Sequence, residues 1–92
     1  MRSLICSDKE KCYICGTYGT EEHHVFFGRK NRTNSHRYGM KVYLCVEHHR
    51  GETGVHGGNK ALDLRLKREG QKAFEKEYGH DMFIKTFGRN YL

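Results

Sequence analysis

The sequence predicts a small α+β protein in which a β-hairpin and the helix after it are held together by a structural zinc ion. A Cys-x-x-Cys pair precedes two short β-like runs, and a Cys-x-x-His pair follows them. The chain has 92 residues, of which 36% are hydrophobic. Such a thin core often needs a metal to hold it together. The last third of the chain has apolar residues at helical spacing, which predicts one or two C-terminal helices.

The length predicts one domain, spanning residues 1–92. Lys and Arg total 17 against 11 Asp and Glu, giving a formal charge of +6. A small basic domain favours polyanions, of which nucleic acid is the commonest large one. No apolar run is long enough for a membrane span or a signal peptide, so we expect a cytoplasmic protein with reduced cysteines and no membrane partner.

The first elements alternate between turns and extended chain. Residues 1–11 are a polar lead-in, and residues 12–16 are typical of a metal-binding turn that ends in glycine. Residues 23–27 form a β-like run rich in Val and Phe. Residues 29–39 are polar and basic without a clear period, and Ser35 is predicted to cap a single helical turn there.

A second strand is predicted over residues 40–45, because Val42 and Leu44 alternate with more polar neighbours. A second metal-binding turn and the start of a helix follow near residues 45–50. A hairpin followed by a helix, with metal ligands at the junctions, is a ββα-metal arrangement. We therefore expect the zinc knuckles and the ββα-metal core to occupy residues 12–58.

Residues 59–92 are predicted to form a helical tail. Asn59 is a suitable N-cap for a long helix that reaches about Tyr78. Gly70 is expected to weaken or kink the middle of that helix. A last short helix is predicted with Asp81 as its cap.

A tetrahedral structural zinc takes four protein ligands, usually Cys and His. Two closely spaced pairs supply that number: Cys12, Cys15, Cys45 and His48. The sequence leaves two variants open. One uses His23 with His48 or His49 beside the first cysteine pair, and the other replaces a ligand by the nearby Cys6.

The remaining histidines predict a second, more open site. His23, His24 and His49 are left over once the zinc is satisfied, and His56 is a candidate for a further ligand. Neutral imidazole binds first-row divalent metals, and its titration near neutral pH suits a general base. Glu22 is a candidate for orienting one of the rings.

The other two histidines, His36 and His80, are expected to be ordinary surface residues.

The run EHHV at residues 22–25 and the run LCVEHH at residues 44–49 resemble the HNH endonucleases. The likeness is closer to small phage- and prophage-encoded members of that family with paired zinc knuckles. The stretch QKAFE at residues 71–75 and the end FGRNYL at residues 87–92 also resemble hypothetical proteins of such phages. The resemblance implies a metal-dependent endonuclease that hydrolyses phosphodiester bonds of DNA.

The resemblance also implies roles for the surplus histidines. His24 would be the general base that activates water. His23 and His49, with His56 as a third candidate, would bind one divalent ion (Mg²⁺, Mn²⁺, Ni²⁺ or Zn²⁺). Met40 stands where the family usually has its middle asparagine. Asn31 or Asn34, which lie upstream, could orient His24 in its place, and Tyr38 or Ser35 could substitute; Asn34 is the residue assigned to that role here.

The DNA backbone would be held by basic residues of the segment between the two strands and of the second strand. These are Arg29, Lys30, Arg32, Arg37 and Lys41. Contacts of this kind give salt-dependent binding with little sequence preference.

Two other functions compete with the nuclease. A non-catalytic zinc-finger module that binds DNA or a phage protein, such as a packaging or recombination protein, explains the zinc ligands and the charge. It leaves His23, His24 and His49 without a role. A thiol redox protein explains only the first cysteine pair.

Overall fold

The computed structural model describes residues 1–92 and contains two strands and four helices, which confirms the predicted small α+β class. A single 3₁₀ turn, Val55–Gly57, lies between the second and third helices. The elements in chain order are β1 (Glu21–His24), α1 (Arg29–Tyr38), β2 (Lys41–Leu44), α2 (Val46–Arg50), α3 (Lys60–Tyr78) and α4 (His80–Phe87).

The two strands form an antiparallel hairpin. Glu21 pairs with Leu44 at one end, and His24 pairs with Lys41 at the other. Val42 and Leu44 are fully buried, as their alternation predicted. Because a slip of one residue would turn those two side chains away from the core, their burial fixes the register of the hairpin.

The segment between the strands differs from the prediction, because it forms the ten-residue helix α1 rather than a single turn. Ser35 is not a cap and lies buried inside the helix. Its hydroxyl donates to the Phe26 carbonyl at 2.6 Å and accepts the Phe26 N–H at 3.2 Å. These two bonds tie the helix to the segment that follows β1, and such tertiary contacts supply most of the stability of short helices in proteins.

Helix α3 begins as predicted, with the Asn59 side chain accepting the Leu62 N–H at 3.0 Å. The helix runs without interruption through Gly70 to Tyr78, so no break occurs at the glycine. A Cβ at Gly70 would lie 3.3 Å from a ring carbon of Phe26. The glycine therefore permits close packing of α3 on the segment that follows β1. None of the helices, α3 included, combines the length and the apolar character needed to cross a membrane.

The core lies where α3 and α4 cover the hairpin. Phe26 follows β1, and its ring centroid is 4.5 Å from that of Phe87 and 5.3 Å from that of Phe83, both on α4. Phe74 of α3 completes the aromatic group at 5.5 Å from Phe83. Rings at these separations bury much apolar surface in tilted and edge-on contacts. This group fixes the position of the segment after β1 against α3 and α4.

Replacement of Gly70 by leucine is expected to destabilise the protein by about 1–3 kcal/mol, because the new side chain would overpack a filled region of the core. Urea unfolding followed by circular dichroism measures the change. Lys72→Leu introduces the same side chain at an exposed position of the same helix and is expected to change stability little. Equal stability of the two variants would contradict the packing role of Gly70.

Candidate metal centres

Two cysteines before β1 meet a cysteine and a histidine at the start of α2. The Cys15 and Cys45 sulfurs are 3.8 Å apart. His48 Nδ1 lies 3.3 Å from the Cys45 sulfur and 3.7 Å from the Cys12 sulfur. A tetrahedral zinc with ordinary bond lengths separates its ligand atoms by about 3.6–3.8 Å. The four side chains therefore fit a zinc ion, and their predicted proximity is confirmed.

The turn that contains Cys12 and Cys15 is closed by backbone hydrogen bonds. The Cys12 N–H donates to the Thr17 carbonyl, and the Gly16 N–H donates to the Cys12 carbonyl, both at 2.8 Å. The hydroxyl and the backbone of Thr17 lower the pKa of Cys15 to about 6. The lowered pKa favours the thiolate of Cys15, which is the form that binds metals. Cys6 lies outside the cluster, so the variant that used it as a ligand has no support.

The second cluster contains the three predicted histidines: His23 from β1, His49 from α2 and His56 from the 3₁₀ turn. Their ring centroids are 4.9–5.2 Å apart. One ring nitrogen from each lies within 4.8 Å of the others. The cluster has three protein ligands and faces a pocket, so it differs in kind from the four-ligand cluster beside it.

His23 is the buried member of this cluster. Its side chain is 2% exposed, and its Nε2 has no hydrogen-bond partner. Burial, followed by the proximity of His49 and His56, lowers the pKa of His23 to about 3. The ring is therefore neutral at pH 7. An unpartnered polar atom at such depth is unfavourable, and a bound cation would provide the missing partner.

His49 is oriented by a carboxylate that the sequence did not single out. Its Nδ1 donates to Glu21 Oε1 at 2.8 Å, and the other Glu21 oxygen lies 2.9 Å from the Arg50 guanidinium. Histidines that bind metals commonly donate their second ring nitrogen to a carboxylate in this way. Glu22, the carboxylate that the sequence indicates for this role, lies instead 3.3 Å from the ring of His24. The sequence could have indicated Glu21, because alternation along the strand places Glu21 and His23 on the same face.

His56 is held in place by glycine backbone. The Gly57 N–H donates to the Gly54 carbonyl, and the Gly54 N–H donates to the Gly51 carbonyl, both at 3.0 Å. A Cβ at Gly57 would collide with the Gly51 carbonyl oxygen. The turn is therefore wound too tightly for any side chain at that position, and this winding brings His56 back over α2.

The three-histidine cluster borders a pocket of about 270 Å³. The pocket is also lined by the predicted general base, by a carboxylate and by one cation of α1. The full lining is Glu22, His23, His24, Phe27, Arg32, His49 and His56. A larger hollow of about 830 Å³ follows the N-terminal segment and includes none of the histidines. The chemistry of the smaller pocket makes it the better candidate site.

His24 reaches the pocket as predicted, but Asn34 does not. His24 Nε2 lies 3.3 Å from Glu22 Oε1 without the angle of a hydrogen bond, and burial lowers the pKa of His24. The Asn34 amide donates to the Thr86 carbonyl at 3.0 Å. Its contact thus docks α1 on α4, and the predicted role of Asn34 in orienting His24 has no counterpart among its contacts.

Four of the five predicted DNA-binding cations lie exposed on α1: Arg29, Lys30, Arg32 and Arg37. The fifth, Lys41, is 7% exposed, and its amine lies 3.4 Å from the Glu22 carboxylate. The prediction for Lys41 therefore needs correction, because a buried and paired amine is not free to meet a phosphate.

Comparisons with protein-family models, with curated proteins and with solved structures found no match. The resemblance to HNH endonucleases thus depends on the short runs at residues 22–25 and 44–49, and it stays a prediction. The two clusters and the pocket beside His23, His49 and His56 are the features of the molecule that bear on its function.

Cys45→Ser is expected to remove the tight zinc and the cooperative unfolding transition together, because a structural zinc supplies folding free energy in a small domain. Metal analysis after dialysis and thermal unfolding measure the two effects. Cys6→Ser is the matched control and should keep both. A Cys45→Ser protein with unchanged zinc content and melting temperature would contradict the assignment.

Proposed function

We propose that this protein is a metal-dependent DNA endonuclease of the HNH type. In this proposal a zinc ion on Cys12, Cys15, Cys45 and His48 is structural, and a divalent ion on three histidines is catalytic. One observation carries the proposal. The adjacent residues His48 and His49 belong to different clusters, and the cluster of His49 opens onto the pocket that contains His24.

The three-histidine cluster suits a catalytic ion because three protein ligands leave coordination positions for water and substrate. His23, His49 and His56 would hold the ion. When bound, it would polarise a phosphate oxygen and stabilise the leaving oxygen of the scissile bond. An all-imidazole ligand set favours Ni²⁺ or Zn²⁺, whereas Mn²⁺ and above all Mg²⁺ suit carboxylate and water oxygens.

His24 has the properties of a general base. It is partly buried at the pocket, its Nε2 carries no hydrogen bond, and its lowered pKa keeps the ring neutral at pH 7. A neutral imidazole can accept the proton of an attacking water. The Glu22 carboxylate, 3.3 Å away, would then stabilise the imidazolium that forms.

The exposed cations of α1 are the candidates for holding the DNA. The helix contributes four basic side chains, and Arg32 lines the same pocket as His24. A phosphate paired with Arg32 would therefore lie next to the general base. Binding through such contacts weakens steeply with salt, because it depends on the release of counterions from the DNA.

The competing function is a non-catalytic zinc-finger module. The four-ligand cluster and the exposed cations of α1 are compatible with it, because a zinc-stabilised fold and basic side chains are enough for DNA binding. The module gives no reason for the buried, unpartnered nitrogen of His23 or for the Glu21 carboxylate that orients His49. The nuclease accounts for both.

His24→Ala is expected to slow the nicking of supercoiled plasmid by roughly 10²–10⁴-fold, the usual contribution of a general base. The assay uses the zinc-loaded protein with Mn²⁺, Ni²⁺ or Mg²⁺, and we expect Mg²⁺ to be the weakest activator. His80→Ala is the control, because His80 is exposed on α4 and paired with Glu75, outside the pocket.

Absence of nicking with every ion, or equal nicking by the His24→Ala variant, would contradict the nuclease. A gel-shift assay on the same samples separates the alternatives. Salt-sensitive DNA binding without cleavage would favour the zinc-finger module.

Glu21→Gln is expected to weaken binding of Ni²⁺ or Mn²⁺ to the three-histidine cluster by roughly 10–100-fold, the usual effect of losing a carboxylate that orients a metal-binding histidine. Calorimetric titration of the zinc-loaded protein measures the affinity. Glu77→Gln removes a carboxylate from an exposed position of α3 and should leave the affinity unchanged. Equal affinities of the two variants would contradict the role of Glu21.

A further inference from the structure

A third group of metal-ligating side chains lies beside the proposed general base. It consists of Glu22 and His24 from β1 and His36 from α1, and one ligand atom of each lies within 4.8 Å of the other two. The rings of His24 and His36 are 6.0 Å apart, centroid to centroid. His36 is exposed, as expected, and it also lies close to two other potential metal ligands.

The position of His36 is set by the buried residue before it. Ser35 makes two hydrogen bonds to the backbone of Phe26, two residues beyond His24. These bonds hold this part of α1 against the end of β1. His36 itself is exposed, so an ion can reach its ring from solvent. The group thus combines an accessible ligand with His24, whose Nε2 is buried and has no hydrogen bond.

We propose that Glu22, His24 and His36 form a second divalent-metal site, best suited to zinc, and that its occupation inhibits the enzyme. Two imidazoles and one carboxylate are a common ligand set for zinc. The inhibitory part of the proposal rests on the proposed function, in which His24 accepts a proton from water. The lone pair of His24 that would bind an ion is the one that proton transfer requires, so the two uses exclude each other.

The charges around this site make it weaker than the other two. One Glu22 oxygen lies 3.3 Å from His24, and the other lies 3.4 Å from the amine of Lys41. Arg32 adds a second positive charge near His24. Both cations oppose a bound metal ion by Coulomb repulsion. The site is therefore expected to fill last, and inhibition should appear only when zinc exceeds the needs of the other two clusters.

The test is a titration of nicking activity with zinc. Zinc-loaded protein is assayed in saturating Mn²⁺, and Zn²⁺ is then added in steps. The wild-type protein should lose activity as zinc rises, whereas His36→Ala should keep its activity over the same range and show the same rate before zinc is added. His80→Ala is the control, since it removes a histidine that lies 2.7 Å from a carboxylate but has no second histidine partner. It should be inhibited like the wild type.

Zinc can also replace Mn²⁺ in the three-histidine cluster, but that exchange would inhibit the wild type and His36→Ala equally. Equal inhibition of the two proteins overturns the inhibitory role. Equilibrium dialysis against zinc provides a count that needs no activity. The wild-type protein should bind one zinc ion more than His36→Ala. An equal count overturns the site itself, even if the chain proves not to be a nuclease.

Discussion

The positions of the other side chains in the candidate site depend on one cluster of potential zinc ligands: Cys12, Cys15, Cys45 and His48. It joins the turn before β1 to the first turn of α2, across a chain whose core is small. His49 follows His48 directly on α2. Because His48 points towards the three cysteines, the helix directs the side chain of His49 to a different side. β1 begins shortly after the first pair and brings His23 to the same junction. A shift of the side chains in the four-ligand cluster would therefore displace His23 and His49 in the three-histidine cluster as well.

The candidate metal ligands could be predicted from the sequence because ligand spacing within a turn is a local property. Cys-x-x-Cys and Cys-x-x-His each bring two ligand atoms together without help from the rest of the fold. The burial of Val42 and the cap of α3 at Asn59 are local in the same sense. Each depends on alternation or on a contact a few residues away, and the structure agrees with all of them.

Other features depend on contacts between residues that are distant in the chain, and these features could not be predicted from the sequence. Helix α1 is anchored by hydrogen bonds from Ser35 and Asn34 to residues outside it, and those distant partners cannot be identified from the segment itself. The choice between Glu21 and Glu22 as the partner of a histidine depends on which face of the hairpin meets α2. The burial of Lys41 could not be predicted either, because its pairing with Glu22 across the strands depends on the register of the hairpin.

The tight winding around His56 has a consequence for how this chain can vary. Gly51, Gly54 and Gly57 contribute no side chain to any cluster, yet the backbone at Gly57 touches that at Gly51 too closely to admit a methyl group. In this segment, substitutions are therefore most restricted at the glycines, which have no side chain that could bind a metal or a substrate. A lineage could exchange one ligand type for another at His56 more readily than it could replace the glycine that follows it.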